Sequence, residues 1–420
     1  MGKKYMKFLI VALASSLCFV LFYSKLVDVE ITAKDKITSV TASIPRKPTP
    51  VLISTIKKRT KSVAPFKLPP LTISKDFRKR IPKNGAFWNR KLHSFLRQLD
   101  AADNTTDPRK KFHCSPESFE LLKMNIQDVN TYPPLYGDFL RGMECRDSPL
   151  VIDQPDKCAR DNEDDQIFLL FAIKSTPKHF ERRQAVRETW GREGEYDGLK
   201  VRTVFLLGRS SLDDPNLDKL ILSESQHFQD LLVWDFHDSF YNLTLKEHVF
   251  FKWMLGHCPR VSFIFKGDDD VFANPQAIIN HLTSLEPEQA SSLYTGQIIS
   301  EATPLRDPKT KYCVPLTYYE GAYPPYAGGG GFLFSGELLP YLYHVSFYIP
   351  FFPIDDVYTG MCFEALGINP TKHDGFRTFD IREQDRENPC VHKHLLLVHR
   401  RSPQQTMRLW RSMHSSMLTC

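Results

Sequence analysis

Between residues 167 and 265, short apolar runs of strand length alternate with helical stretches, and this alternation constrains the fold more than any other feature of the 420-residue chain. Residues 167–173 read Ile-Phe-Leu-Leu-Phe-Ala-Ile, apolar at consecutive positions. Both faces of such a strand must be covered, as in a parallel strand lying between helices. A helix rich in Glu and Arg is expected over 179–190, then a strand at 204–207, a helix from 217 through 223 and beyond, a strand at 231–236, a helix at 245–255 and a strand at 261–265. The pattern predicts an α/β domain with a Rossmann-like, mostly parallel sheet flanked by helices, whose ligands sit beyond the carboxyl ends of the strands. There is no Gly-x-Gly-x-x-Gly after the first strand and no Gly-Lys-Ser/Thr phosphate loop. That argues against a dinucleotide oxidoreductase and a P-loop kinase.

The amino-terminal region has a different character. Residues 8–23 are apolar and uncharged, preceded by Lys3, Lys4 and Lys7 and followed by Lys25. The run reads as a membrane segment; a cleaved signal peptide is the rival, but no small-x-small cleavage site precedes the polar stretch that follows. With more Lys before the span than just after it, the amino terminus is expected in the cytosol and the remainder in the lumen. So short a span suits the thinner membranes of the early secretory pathway. The formal charge of +6 comes from runs before residue 112, such as Lys57-Lys58-Arg59-Thr60-Lys61 and Arg78-Lys79-Arg80. A basic tether accounts for these better than a nucleic-acid groove, and no nucleic-acid partner is expected.

Pro45, Pro48, Pro50, Pro65, Pro69 and Pro70 interrupt a stretch rich in Lys, Ser and Thr that reads as an extended stem. The expected organisation is a cytosolic tail at 1–7, an anchor at 8–24, a stem at 25–86, a cysteine-bearing lid or brace at 87–160 with a helix near 88–99, and a catalytic domain at 161–420. Asn104-Thr105-Thr106 and Asn242-Leu243-Thr244 are glycosylation sequons, making Asn104 and Asn242 candidate glycan sites. Eight cysteines lie outside the anchor: Cys114, Cys145, Cys158, Cys258, Cys313, Cys362, Cys390 and Cys420. An even number fits disulfides in an oxidising compartment without specifying their pairing. Zinc is disfavoured because no pair has Cys-x-x-Cys spacing.

Directly after the strand at 261–265 comes Lys266-Gly267-Asp268-Asp269-Asp270-Val271-Phe272. Three clustered carboxylates repel one another unless a hard cation neutralises them, and carboxylate oxygens suit Mn²⁺ or Mg²⁺. A solvated acidic turn is the plainer alternative. Lys174 stands at the carboxyl end of the first core strand, where such a sheet binds its ligand. Asp355-Asp356 precede an expected helix at 357–366 and read either as helix-end acids or as a catalytic pair. The glycines of 328–331 admit close backbone approach to a ligand. Tyr312, Tyr323 and Tyr326 are candidates for stacking on a ligand or for core packing.

The stretch from Phe265 to Phe272 resembles the Asp-x-Asp signature of glycosyltransferase family 31, the β-1,3-glycosyltransferases. Further blocks occur in the family's order: Arg182-Arg183-Gln184-Ala185-Val186-Arg187-Glu188-Thr189-Trp190-Gly191, Asn242-Leu243-Thr244-Leu245-Lys246, Tyr323-Pro324-Pro325-Tyr326 followed by Ala327 and four glycines, and Pro353-Ile354-Asp355-Asp356-Val357-Tyr358-Thr359-Gly360-Met361-Cys362. The resemblance covers about residues 145–420, and the Pro-Pro-Tyr-Ala-Gly-Gly-Gly-Gly block is most similar to the β-1,3-N-acetylglucosaminyltransferases that build polylactosamine.

That resemblance implies a GT-A fold, a UDP-GlcNAc donor, inversion at the anomeric carbon, and a galactose-terminated glycan on a glycoprotein or glycolipid as acceptor, in the Golgi membrane. UDP-galactose transfer is the alternative activity; a non-catalytic luminal glycan-binding protein is the alternative class. The implied roles are Asp356 as base, Asp270, Asp268 and His399 at the cation, and Lys174, Arg182, Arg187, Lys246, Asp268 and Asp269 at the donor. Asp268 could face the donor ribose or a metal-bound water. Asp355, Tyr312, Tyr326, Gly329 and Gly330 are assigned to the acceptor. Cys313 departs from the aromatic residue expected beside Tyr312, which leaves the acceptor wall and the disulfide set less defined. Assembly with itself or with other glycosyltransferases is left open.

Overall fold

The computed structural model describes residues 68–101, 107–112, 114, 117, 119–158, 166–210, 214 and 216–420. The apolar run at 8–23, the stem up to residue 67 and the Asn104 sequon lie outside them. Among the described residues no helix is long and apolar enough to cross a membrane.

Twelve strands are described: β1 Leu150–Ile152, β2 Ile167–Lys174, β3 Gly194–Tyr196, β4 Leu199–Arg209, β5 Leu231–His237, β6 Phe263–Asp268, β7 Val271–Ala273, β8 Tyr294–Ile299, β9 Tyr326–Ser335, β10 Thr371–Lys372, β11 Phe376–Arg377 and β12 Leu397–His399. The main sheet runs β1-β5-β4-β2-β6-β9-β8-β10, with β3 on β4; a second sheet runs β11-β12-β7. Six helices matter below: α1 Lys75–Arg80, α2 Phe87–Ala101, α3 Phe180–Glu188, α4 Leu243–His257, α5 Asp355–Ala365 and α6 Pro403–Met413.

The continuous apolar run of β2 divides by parity. Leu169, Phe171 and Ile173 join Phe205, Leu207 and Phe265 on one face, while Leu170 and Ala172 join Val204, Leu206 and Ile264 on the other. All are almost fully buried, so β2 is covered on both sides as its sequence predicts.

The sheet is mixed rather than mostly parallel. The centre β5-β4-β2-β6 is parallel, but β9 runs antiparallel to both β6 and β8. This strand is the glycine block, and its register pairs Gly331 with Gly267. Space around the glycines is tight: a Cβ on Gly330 would lie 3.2 Å from His399 Cγ, one on Gly329 3.0 Å from Asp356 Oδ2, and one on Gly331 closer still to Leu397 Cδ1. Glycine lets the strand pass close to these groups.

The expected stem extends too far. Within 68–86, Ser74 caps α1 by accepting the Asp76 N–H at 3.2 Å, Phe77 is fully buried, and the Ser74 N–H donates to Ala365 O at 2.8 Å. The Lys and Arg content that suggested a tether belongs partly to an amphipathic helix whose Arg80 Nε bonds Glu364 Oε1 at 2.5 Å. The described part of 87–160, expected as a lid or brace attached to the catalytic core, packs directly on it. Trp88 on α2 is fully buried against Tyr319 and Phe352, and its indole donates to Pro350 O at 2.9 Å. Its core is continuous with that of the sheet.

Six cysteines form three disulfides, Cys114–Cys145, Cys158–Cys258 and Cys390–Cys420. Cys313 and Cys362 are buried free thiols, so the pairing of all eight that the even count suggested does not occur.

Candidate active site

The carboxyl ends of β2 and β6 carry the first two functional groups. Lys174 and Asp268 are register partners on these adjacent parallel strands, and Lys174 Nζ lies 3.1 Å from Asp268 Oδ1. The same ammonium reaches Asp355 Oδ2 at 2.8 Å and Gly329 O at 3.2 Å. Burial disfavours the Lys174 charge, but Asp268 and Asp355 outweigh it and hold the pKa well above the ordinary lysine value.

After β6 the chain turns through Asp269 and Asp270 into β7, and the two carboxylates share Arg182 while their other partners differ. Asp269 is buried and accepts from Ser175 Oγ at 2.7 Å, from Arg182 Nη1 at 3.1 Å, and pairs with His179 Nδ1 at 2.8 Å. It thus ties the turn to the loop after β2 and to α3. Asp270 faces Arg182 at 3.1 Å and His399 Nε2 at 3.1 Å. Because β12 pairs antiparallel with β7, His399 stands beside Val271. The His399 Nδ1–H donates to Thr378 O at 2.8 Å, which directs Nε2 toward Asp270.

Asp268, Asp270 and His399 can bring one ligand atom each within 4.8 Å of one another. Two carboxylates and an imidazole whose tautomer is set by a carbonyl are a fitting donor set for Mn²⁺ or Mg²⁺. Burial pushes the Asp268 carboxyl above its usual range, against the pull of Lys174. Burial acts the same way on Asp270, but the hydrogen bond and charge of His399 prevail and hold it below that range. Burial alone would lower the His399 imidazole, yet its bond to Asp270 raises it.

Across the pocket, Asp355 and Asp356 occupy the first turn of α5, whose N-cap is Ile354. Neither carboxylate is the cap, but both are acids of the first turn, so the helix-end reading holds in that part beside a more specific geometry. Asp356 Oδ2 accepts the Gly329 N–H at 3.0 Å and Oδ1 accepts the Val357 N–H at 2.8 Å. Burial, followed by the neighbouring Asp355 charge, pushes Asp356 up to about 7. Burial works in the same direction on Asp355, but Lys174 outweighs it and keeps that carboxyl below its ordinary value. Two adjacent carboxylates are thereby driven apart in proton affinity, an arrangement that suits one to take a proton while the other stays ionised.

These groups line one cavity of about 760 Å³, together with Tyr312, Tyr326, Gly329, Gly330 and Arg182. Tyr326 is buried, whereas Tyr312 is 43 % exposed and stands edge-on to Phe240 at 5.3 Å. Free, buried Cys313 follows Tyr312 and pairs with Leu305 as an isolated bridge, which steadies this wall.

Two expected donor residues are elsewhere. Arg187 points away from the cavity, with Nε 2.7 Å from Asp230 and Nη2 2.8 Å from Glu224, and its guanidinium covers Phe228. On α3, residues 182 and 187 are far enough around the helix that only Arg182 reaches the site. Lys246 is buried beneath the cavity, donating to Ser175 O at 2.9 Å and to both oxygens of Asp238. It holds Asp238, a wall residue, and does not itself line the pocket. Asn242 is half-buried with Nδ2 donating to His237 O at 2.9 Å, and the sequon's Thr244 hydroxyl donates to Phe352 O at 2.6 Å.

Ser175, Thr176, His179, Asp238, Thr378, Phe379 and Arg400 also line the cavity and were not foreseen. Ser175 and Thr176 were accessible to the rule that named Lys174, since they directly follow the carboxyl end of β2. Nothing local in the sequence marks Phe379 or Arg400.

Residues 181–374 match the family model described as Galactosyltransferase. The chain is 44 % identical over 350 residues to the human N-acetyllactosaminide beta-1,3-N-acetylglucosaminyltransferase 2, covering 80 % of this chain and 86 % of that protein. It is 42 % identical over 339 residues to the mouse UDP-GlcNAc:betaGal beta-1,3-N-acetylglucosaminyltransferase 7, covering 76 % and 82 %. With the human acetylgalactosaminyl-O-glycosyl-glycoprotein beta-1,3-N-acetylglucosaminyltransferase it shares 40 % identity over 302 residues, 70 % of this chain and 77 % of that one. Identity at this level across most of both partners means that the chain belongs to the galactosyltransferase family of β-1,3-glycosyltransferases, glycosyltransferase family 31.

Proposed function

We propose that the protein is an inverting β-1,3-N-acetylglucosaminyltransferase that moves GlcNAc from UDP-GlcNAc to the 3-hydroxyl of a terminal β-galactose, as in polylactosamine and related chains. The observation that carries this reading is the placement of Asp356, with its raised proton affinity, in the same cavity as the Asp268–Asp270–His399 group. The printed names of the relatives favour GlcNAc over galactose as the sugar moved.

Inverting transfer needs a base that takes the acceptor proton while the oxygen attacks the face of the anomeric carbon opposite UDP. Asp356 is suited to this, since a base works best when its pKa lies near the operating pH. Its backbone bonds from Gly329 and Val357 fix the carboxylate in place. Asp355, kept ionised by Lys174, is suited to accepting hydrogen bonds from acceptor hydroxyls. Lys174 also restrains Asp268, so one ammonium couples the acceptor side of the pocket to the donor side. Mn²⁺ or Mg²⁺, held by Asp268, Asp270 and His399, would supply positive charge against the departing diphosphate. Tyr326 and Tyr312 offer ring faces and edges for the acceptor sugar.

We further propose a Golgi location as a single-pass type II membrane protein, a reading that residues 8–23 and their flanking lysines support. Three disulfides are compatible with an oxidising lumen. The test of the activity is incubation of the purified protein and Mn²⁺ with a panel of UDP-sugars and β-galactose-terminated acceptors. Turnover with UDP-GlcNAc is expected; turnover confined to UDP-galactose would replace the proposed donor.

A further inference from the structure

The charges around the cavity leave one cation without a role. Four lysines and arginines line it: Lys174, Arg182, Lys311 and Arg400. Lys174 is engaged by Asp268 and Asp355, and Arg182 by Asp269 and Asp270. Lys311 lies over the rings of Phe240 and Tyr312. Arg400 is exposed, and its side chain has no ion-pair or hydrogen-bond partner among the described residues.

Its backbone is held in an unusual conformation. Arg400 has φ of 62°, and Asp380 on the facing loop has φ of 77°, both in the left-handed region that side-chain-bearing residues seldom occupy. One buried side chain fastens the two turns. Arg401 Nη1 donates to Asp380 Oδ1 at 2.8 Å, to Arg400 O at 3.0 Å and to His399 O at 3.2 Å. The Arg401 N–H also donates to Asp270 O at 2.7 Å, so the turn carrying Arg400 is locked to the acidic motif. Strain that the surroundings hold so firmly at a pocket rim points to a side chain being aimed.

We propose that Arg400 binds the diphosphate of the UDP-sugar and that the buried Arg401–Asp380 pair positions it for that contact. The proposal rests on the UDP-sugar reading above. Asp268, Asp269, Asp270 and Asp355 are already balanced by Lys174, Arg182 and a divalent cation, so the negative charge that arrives with the donor needs another partner. Arg400 follows His399 in the chain and is the unengaged cation at that end of the pocket. A guanidinium presents parallel N–H groups that match phosphate oxygens, and in a partly desolvated site such bonds are stronger than neutral ones.

The test is calorimetric titration of UDP, UMP and uridine into the detergent-solubilised full chain with Mn²⁺ present. Arg400→Asn removes the charge while keeping a residue that tolerates positive φ. It should weaken UDP binding by about tenfold to a hundredfold and leave uridine unchanged, while Arg400→Lys recovers part of the loss. Asp380→Asn should weaken UDP in the same sense, because it loosens the turn without touching the ligand. UDP affinity in Arg400→Asn within about twofold of wild type, or an equal loss for uridine, overturns the proposal. Wild-type protein that binds no UDP would instead overturn the UDP-sugar reading beneath it.

Discussion

Replacing Asp356 by Asn separates catalysis from binding, and the structure bounds both effects. The amide is nearly isosteric, and its oxygen can accept one of the two backbone N–H groups, from Gly329 or Val357, that the carboxylate now accepts. The other N–H then faces an NH₂ donor, a mismatch that costs about 1 kcal/mol of stability. That is small beside the roughly 5–15 kcal/mol of a typical domain, so the variant stays folded. Loss of a general base, in contrast, lowers turnover by about 10²- to 10⁴-fold, equivalent to about 3–5 kcal/mol in the barrier. Initial rates at saturating UDP-GlcNAc and varied acceptor should show the loss in kcat, with UDP affinity retained. The wild-type rate should carry an acidic limb. Asp356 acts only when ionised, so activity is lost as pH falls through its raised pKa, near 7 and not near 4. Asp355→Asn removes the second cause of that shift and frees Lys174 to stabilise the ionised Asp356; the limb should move to lower pH while acceptor KM rises. An Asp356→Asn enzyme within a few-fold of wild type refutes the assignment. If Asp355→Asn is then inactive, the two roles are exchanged.

Chelation should abolish activity and Mn²⁺ restore it, and Asp270→Ala or His399→Ala should weaken Mn²⁺ binding measured directly by titration; undiminished turnover in chelator removes the cation from the account. Gly329→Ala places a methyl group 3.0 Å from Asp356 Oδ2, so kcat should fall while UDP binding is kept; unchanged kcat would mean that the base is not fixed by this strand. Arg187→Ala strands Asp230 and weakens the restraint on Glu224, both nearly buried, and should cost about 3 kcal/mol in denaturant unfolding with UDP affinity unaltered. A selective loss of UDP affinity there would return Arg187 to the donor site.

What the sequence revealed depended on whether the signal was local. The two-faced burial of β2 follows from an unbroken apolar run, and the acidic turn after β6 follows from the rule that ligands gather at strand carboxyl ends. Lys174 was legible for the same reason. Arg187 was not, because a family block records neighbours in sequence while a helix turns successive residues to different partners; Asp230 and Glu224, which claim Arg187, lie on separate elements. Lys246 misled similarly, since its partners Asp238 and Ser175 O are joined to it only in the folded sheet. The antiparallel course of β9 was hidden because glycines carry no alternation to read. Residues 68–86 looked like tether by composition, yet Phe77 and Ile81 are apolar at helical spacing and bury against the core. Arg400 and Phe379 reach the pocket through turns with positive φ at neighbouring residues or at the residue itself, a conformation that Arg and Asp do not announce.

The account turns on a single displacement in which the 3-hydroxyl of the acceptor galactose attacks the anomeric carbon opposite the departing UDP, and the stereochemistry of the product reports this directly. The protein should be incubated with UDP-GlcNAc, Mn²⁺ and a β-galactose-terminated acceptor, and the anomeric coupling and linkage of the product read by NMR. The predicted result is a GlcNAc residue in β-1,3 linkage to galactose, inverted relative to the α-linked donor. An α-linked product, or transfer to a hydroxyl other than the 3-position, would contradict it.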